Sequence, residues 1–313
     1  MGFTDKIVSQ KREELDKQTA QRIQELGEVT DIDIWRFAYG KHPRQFVDKF
    51  ACPTETDRVM INIHGGGLIM GDTAQNQWLN AWVAKQGFDV CAIEYRLVPE
   101  VLMMDQVHDI INGMREISRR VPSNKKFYVM ADSAGALLAM YAIACQKSER
   151  IARLFGVQHS ADDPEILGVA FQSGMFYTTR FDDVGLFMSR LFYGKDCKKK
   201  YKYLYRYLSH PEMVISLMPR CILSTSKDDF KYKYTRDMFF NGLFINPFDI
   251  VYLDDDGFGH AFNALYPETK EAQSINTEMI DFITGKEISY GQDRFYNWKD
   301  LSENRRSRTY YIG

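Results

Sequence analysis

From Val59 onward the chain alternates short β-rich runs with helical patterns, and this alternation constrains the fold more than any other feature. "RVMINIH" and "FDVCAIEYR" are β-rich, and "TAQNQWLNAWVAKQG" between them carries a helical pattern closed by Gly87. "DQVHDIINGMREISRR" predicts a helix stopped before Pro122. "KKFYVMAD" predicts a strand, and "AGALLAMYAIACQKSER" a buried helix with a charged end. "EILGVAFQSG", "RCILSTSKDD" and "FDIVYLDDDG" predict further strands, and "PETKEAQSINTEMIDFIT" a closing helix. Strands alternating with helices imply βαβ units and a mostly parallel sheet covered on both faces. A length of 313 residues fits one large α/β domain carrying insertions.

Ser133 stands where the strand "KKFYVMAD" meets the following helix. Small residues at Ala131 and Gly135 leave room for a tight strand-to-helix turn, one residue away from the pattern G-x-S-x-G. A serine nucleophile also needs a base, a carboxylate that orients the base, and N–H donors for the developing oxyanion. In this architecture the chain order is serine, acid, histidine. "ILSTSKDD" puts Asp228 and Asp229 at the end of a later strand, and His260 alone among the six histidines lies beyond them. Asp228 is nearer the strand and is the expected acid; Asp229 serves if the turn is displaced. Asp254, Asp255 and Asp256 lie close before His260, where one of them could instead serve as a loop or capping residue.

"INIHGGGLIMG" runs a strand into His64, Gly65, Gly66 and Gly67. Three glycines permit positive φ and close approach of backbone to a ligand. No G-K-S/T follows, so a lipase-type oxyanion loop fits better than a phosphate nest. The remaining donor would be the N–H of Ala134. Leu68, Ile69 and Met70 after the glycines suggest an apolar acyl pocket.

Three segments stand outside the alternation. Residues 3 to 28 carry a thin apolar stripe of helical spacing and predict a loosely packed helix. Residues 175 to 215 hold ten aromatic residues with Lys198, Lys199, Lys200 and Lys202 among them. The lysines read as a solvated face, and the aromatics as a roof over a pocket. The tail from about 286 to 313 is polar and predicts disorder or a docking role.

Composition narrows the partners. A net charge of −2 argues against a nucleic-acid partner. Five scattered cysteines without a C-x-x-C pair argue against a disulfide framework and a structural zinc site. With no apolar leader and no run of about 18 apolar residues, the expectation is a cytoplasmic protein without a membrane span.

Taken in order, "HGGG" at 64–67, "YRLVPE" at 95–100, "ADSAG" at 131–135 and "DGFGHAF" at 256–262 are similar to the motifs of the hormone-sensitive lipase family of α/β-hydrolases, in its bacterial esterase branch. The resemblance runs from about residue 55 to 285. It implies an α/β-hydrolase fold with a helical cap drawn from about 1–50 and about 175–215. Ser133 matches the nucleophile, Asp228 the acid and His260 the base. Gly66, Gly67 and Ala134 match the oxyanion donors, with Gly65 a further candidate, and His64 and Glu100 are implied as structural. The implied activity is a serine carboxylesterase on short- to medium-chain small-molecule esters, without metal or cofactor, in a possible homodimer. An amide hydrolase such as an arylformamidase would share the triad. A ligand-binding homologue without catalysis is disfavoured because His260 is present. The chain departs from the family pattern at Ala131 for glycine, Asp229 for the proline of D-P-L, Ala261 for the glycine after the histidine, and Met104 for a proline.

Overall fold

The computed structural model describes residues 3–180, 183–243, 250–255, 257–286 and 295–296. The strands are β1 Ile34–Ala38, β2 Phe46–Phe50, β3 Arg58–Ile63, β4 Asp89–Ile93, β5 Lys126–Asp132, β6 Ile166–Gln172, β7 Arg220–Ser226, β8 Ile250–Asp255 and β9 Phe295–Tyr296. They form one sheet in the order β1-β2-β4-β3-β5-β6-β7-β8-β9. Pairings from β4 through β8 are parallel, and β1, β2 and β9 add antiparallel strands at the two edges.

The helices are α1 Phe3–Leu26, α2 Gln77–Lys85, α3 Met103–Arg120, α4 Ser133–Lys147, α5 Glu149–Phe155, α6 Asp183–Tyr193, α7 Cys197–Lys200, α8 Lys202–Ser209, α9 Glu212–Ile215, α10 Tyr232–Leu243, α11 Phe262–Leu265 and α12 Lys270–Ile283. Side chains alternate across a strand, so one strand feeds two cores. Val59, Ile61 and Ile63 of β3 pack in the core with α3 and α4, and Met60 packs on the other face with α2 and α12. Val129 and Ala131 of β5 join the first core, and Tyr128 and Met130 the second. α4 is buried from Ser133 to Cys145, as its continuous run of small and apolar residues requires.

The expected cap is corrected at its N-terminal part. Residues 34–50 do not lie over the sheet; they are β1 and β2, inside it. β1 escapes a pattern reading because it is an exposed edge strand with no alternation. α1 buries only Val8 among its described side chains and is tethered by two arginines. Arg12 donates to the carbonyls of Ile69 (2.6 Å) and Val98 (2.9 Å), and Arg22 to that of Leu265 (2.8 Å). The excursion α6–α9 lies between β6 and β7. Of the aromatics expected at 175 to 215 to roof a pocket, Phe176, Tyr177, Phe192, Tyr193 and Tyr207 are buried in the core shared with α3 and α4. Lys198, Lys199, Lys200 and Lys202 are exposed. The tail expectation falls outside the described residues, apart from Phe295–Tyr296 of β9. Among the described residues no helix is long and apolar enough to cross a membrane.

Candidate active site

Four connections gather at the carboxyl edge of the parallel strands, where open α/β sheets place their sites. They follow β3, β5, β7 and β8, and carry the glycines, Ser133, Asp229 and His260.

Ser133 opens α4 directly after β5, with φ at +48°. That left-handed conformation costs a non-glycine residue on the order of 1–2 kcal/mol and holds the hydroxyl out of the strand–helix junction. Gly135 makes the junction possible, since a Cβ there would stand 2.2 Å from the Ile63 carbonyl oxygen. Ala131, in place of the family's glycine, is fully buried.

His260 Nε2 lies 2.8 Å from Ser133 Oγ, and Nδ1 lies 2.8 Å from Asp229 Oδ1. The carboxylate only accepts, so Nδ1 carries the proton and Nε2 is free to accept from the serine hydroxyl. Asp229 is buried and its carboxylate is held below the usual range. Burial alone would push it up; the hydrogen bond and charge of His260, with help from Ser173 and the Lys231 amide, outweigh that. The Lys231 N–H donates to Asp229 Oδ1 at 2.6 Å.

The choice of Asp228 is therefore corrected. Asp228 is exposed, whereas Asp229 is 4% exposed and faces the imidazole. β7 ends at Ser226, and the Asp229 N–H donates back to the Ser226 carbonyl at 3.0 Å, which closes a turn and carries the inward position one residue further. Phe230, not Asp229, then stands where the family pattern has proline.

The glycine loop is braced from behind. Gly66 and Gly67 have φ of +104° and +61°. The Gly65 N–H donates to Asp132 Oδ1 at 3.1 Å, so Gly65 is engaged in holding the loop and not among the available donors. Among the described residues the N–H groups of Gly66 and Gly67 have no acceptor. Ala134 lies in the first turn of α4, where amides lack intrahelical partners. Asn76 Nδ2 donates to the same Asp132 oxygen at 2.7 Å. Burial raises the Asp132 carboxyl above its ordinary range despite these donors.

His64 lies flat on Tyr95, centroids 4.3 Å apart. Its Nδ1 donates to the Gly65 carbonyl at 2.8 Å, and its Nε2 stands 3.6 Å from Glu94 Oε2. Both ring nitrogens face acceptors, which suits the protonated ring. Burial opposes that charge, but the Glu94 carboxylate overrides it and the pKa is raised. The Tyr95 hydroxyl lies 2.8 Å from the His64 carbonyl and 3.1 Å from that of Gly65.

Glu100, expected as a structural residue near the loop, lies beside it. It pairs with Arg12 at 2.7 and 2.9 Å and anchors α1 beside the loop, while Glu94 is the carboxylate behind the glycines. Leu68 and Ile69, expected in an acyl pocket, are buried in the core, and Met70 is half-buried. Sequence reasoning also missed Ser173 and Ser226. Their hydroxyls accept from the amides of Ala261 (2.9 Å) and Phe258 (3.0 Å) and fix the segment carrying His260. Tyr95 and Asp132 lay inside recognised motifs and were within reach; Asn76 had no signal. Among the described residues no group of three or more His, Cys, Asp or Glu side chains could hold a metal ion.

Residues 60–230 match the family model described as alpha/beta hydrolase fold. Among curated proteins, the chain is 26% identical over 224 residues to a probable isoprenylcysteine alpha-carbonyl methylesterase from Oryza sativa subsp. japonica, covering 66% of this chain and 52% of that protein. An isoprenylcysteine alpha-carbonyl methylesterase from Arabidopsis thaliana is 27% identical over 120 residues, covering 36% of this chain and 28% of that protein. The chain thus spans about half or less of the length of these relatives. Esterase B from Lactobacillus rhamnosis superposes with a TM-score of 0.75 at 22% identity, over 90% of this chain and 95% of that one. An esterase from the bacterial hormone-sensitive lipase family superposes with a TM-score of 0.67 at 16% identity, over 89% and 96%.

Proposed function

The chain belongs to the α/β-hydrolase fold family, and from that premise we propose that it is a serine carboxylesterase acting on short- to medium-chain esters. One observation carries the reading: a single imidazole bridges Ser133 Oγ and Asp229 Oδ1 at 2.8 Å on each side. His260 takes the Ser133 proton as Oγ attacks the ester carbonyl. Asp229 holds the ring in the tautomer that accepts this proton, and its charge stabilises the imidazolium. The amides of Gly66, Gly67 and Ala134 receive the developing oxyanion. His260 then protonates the departing alcohol, and water repeats the sequence on the acyl-enzyme. No step calls for a metal or cofactor.

Comparison with named relatives supports ester chemistry. The plant relatives are named methylesterases, and esterase B has been described with a tributyrin phosphonate. Simple methyl esters and butanoate esters are therefore the first substrates to test. Rates on an aryl ester series of rising acyl length should peak on short to medium chains, below about ten carbons. A maximum on longer chains would contradict the chain-length reading. Faster turnover of N-formylkynurenine than of an aryl acetate would favour an amide hydrolase on the same triad.

A further inference from the structure

The chain places a large apolar side chain in solvent beside the reacting histidine. Phe230 follows Asp229 directly and is 74% exposed; no large hydrophobic side chain among the described residues is more so. Its ring centroid lies 4.4 Å from that of His260, with 43° between the planes. Part of the ring therefore rests on the imidazole, and the rest is open apolar surface continuous with it. Exposed phenyl surface gains nothing from burial in the fold, so a flat apolar ligand that covers it gains that hydrophobic contribution on binding.

The chemistry decides which half of an ester meets this surface. The carbonyl oxygen turns to the glycine loop and to Ala134. The alcohol oxygen must come within hydrogen-bond reach of His260 Nε2, because that nitrogen gives it a proton on departure. A group attached to the alcohol oxygen is thus brought to the histidine, and Phe230 is the aromatic neighbour there. We propose that Phe230 forms the leaving-group subsite and selects esters of aromatic or similarly flat, apolar alcohols. The inference rests on the hydrolase reading and adds to it the alcohol half of the substrate.

The test holds the acyl group constant and varies the alcohol. For 2-naphthyl butanoate and methyl butanoate, kcat/KM is measured on the parent, Phe230→Ala and Phe230→Trp. The naphthyl-to-methyl ratio should fall about tenfold in Phe230→Ala, the size of one lost aromatic contact, and should be retained in Phe230→Trp. The loss should appear in acylation and not in breakdown of the preformed butanoyl-enzyme, which no longer holds the alcohol. An unchanged ratio, or equal losses on both esters, would overturn the proposal; equal losses would make Phe230 a prop for the imidazole alone. Fluorophosphonate labelling of Ser133, run in parallel, separates the two readings. If the parent is labelled and the ratio does not move, only the subsite fails. If the parent is not labelled, the hydrolase reading fails and the subsite with it.

Discussion

Asp229, not its neighbour Asp228, faces His260, with Oδ1 2.8 Å from Nδ1. The two residues are chemically identical and adjacent, so exchanging each in turn isolates position. Asp229→Asn replaces the accepting carboxylate and leaves the imidazole without its orienting charge. We expect kcat to drop by roughly three to four orders of magnitude, the cost of a misoriented histidine in such triads. Asp228→Asn should change it less than about twofold, as for an exposed substitution away from the reacting atoms. Steady-state rates on an aryl butanoate check both.

The same carboxylate makes stability depend on pH with a definite sign. Its pKa is lowered on folding, so its contribution is fully present above the ordinary aspartate range and is lost as pH falls through the lowered value. Urea unfolding of the parent and of Asp229→Asn, compared below about pH 5, should show a stability gap that persists down to about pH 4, the unfolded value, and shrinks only below it. A gap that closes above that value would mean the folded pKa is not depressed.

Adjacent glycines in the loop after β3 should respond differently to a methyl group. At Gly66 a Cβ would lie 2.0 Å from the Met70 carbonyl oxygen, whereas at Gly67 nothing lies within 4 Å. Gly67→Ala therefore bears only the left-handed backbone penalty, about 1–2 kcal/mol. Gly66→Ala must also displace the loop backbone and should lower the melting temperature clearly more. Thermal unfolding of the two variants side by side measures the difference.

Much of this was legible because it is periodic or local. Short β-rich runs at β3, β5 and β7 alternating with helical patterns, and the buried run of α4, announce the layered sheet, and the glycines and Ser133 sit in short contiguous motifs. The carboxylate that faces His260 lies one residue beyond the expected one because the turn after β7 is closed by the Asp229 amide to the Ser226 carbonyl, a backbone bond that residue types do not encode. Glu94 carries no local signal for a related reason. Glu94 reaches His64 only because β3 and β4 are paired in register, and Asn76 reaches Asp132 across 56 residues of chain. The edge strand β1 lacked a buried face to announce it. Arg36 of β1 instead pairs with Asp48 of β2 at 2.7 Å, a contact between strands that a local pattern does not carry.

The account turns on whether the hydroxyl held by His260 is a working nucleophile, and covalent capture reads that directly. The protein is treated with a fluorophosphonate, its intact mass is measured, and the adduct is mapped by peptide mass. A single adduct on Ser133, absent from Ser133→Ala and strongly slowed in His260→Ala, is the predicted result. An unmodified Ser133 in the folded parent, or an adduct that forms equally fast without the imidazole, would contradict it.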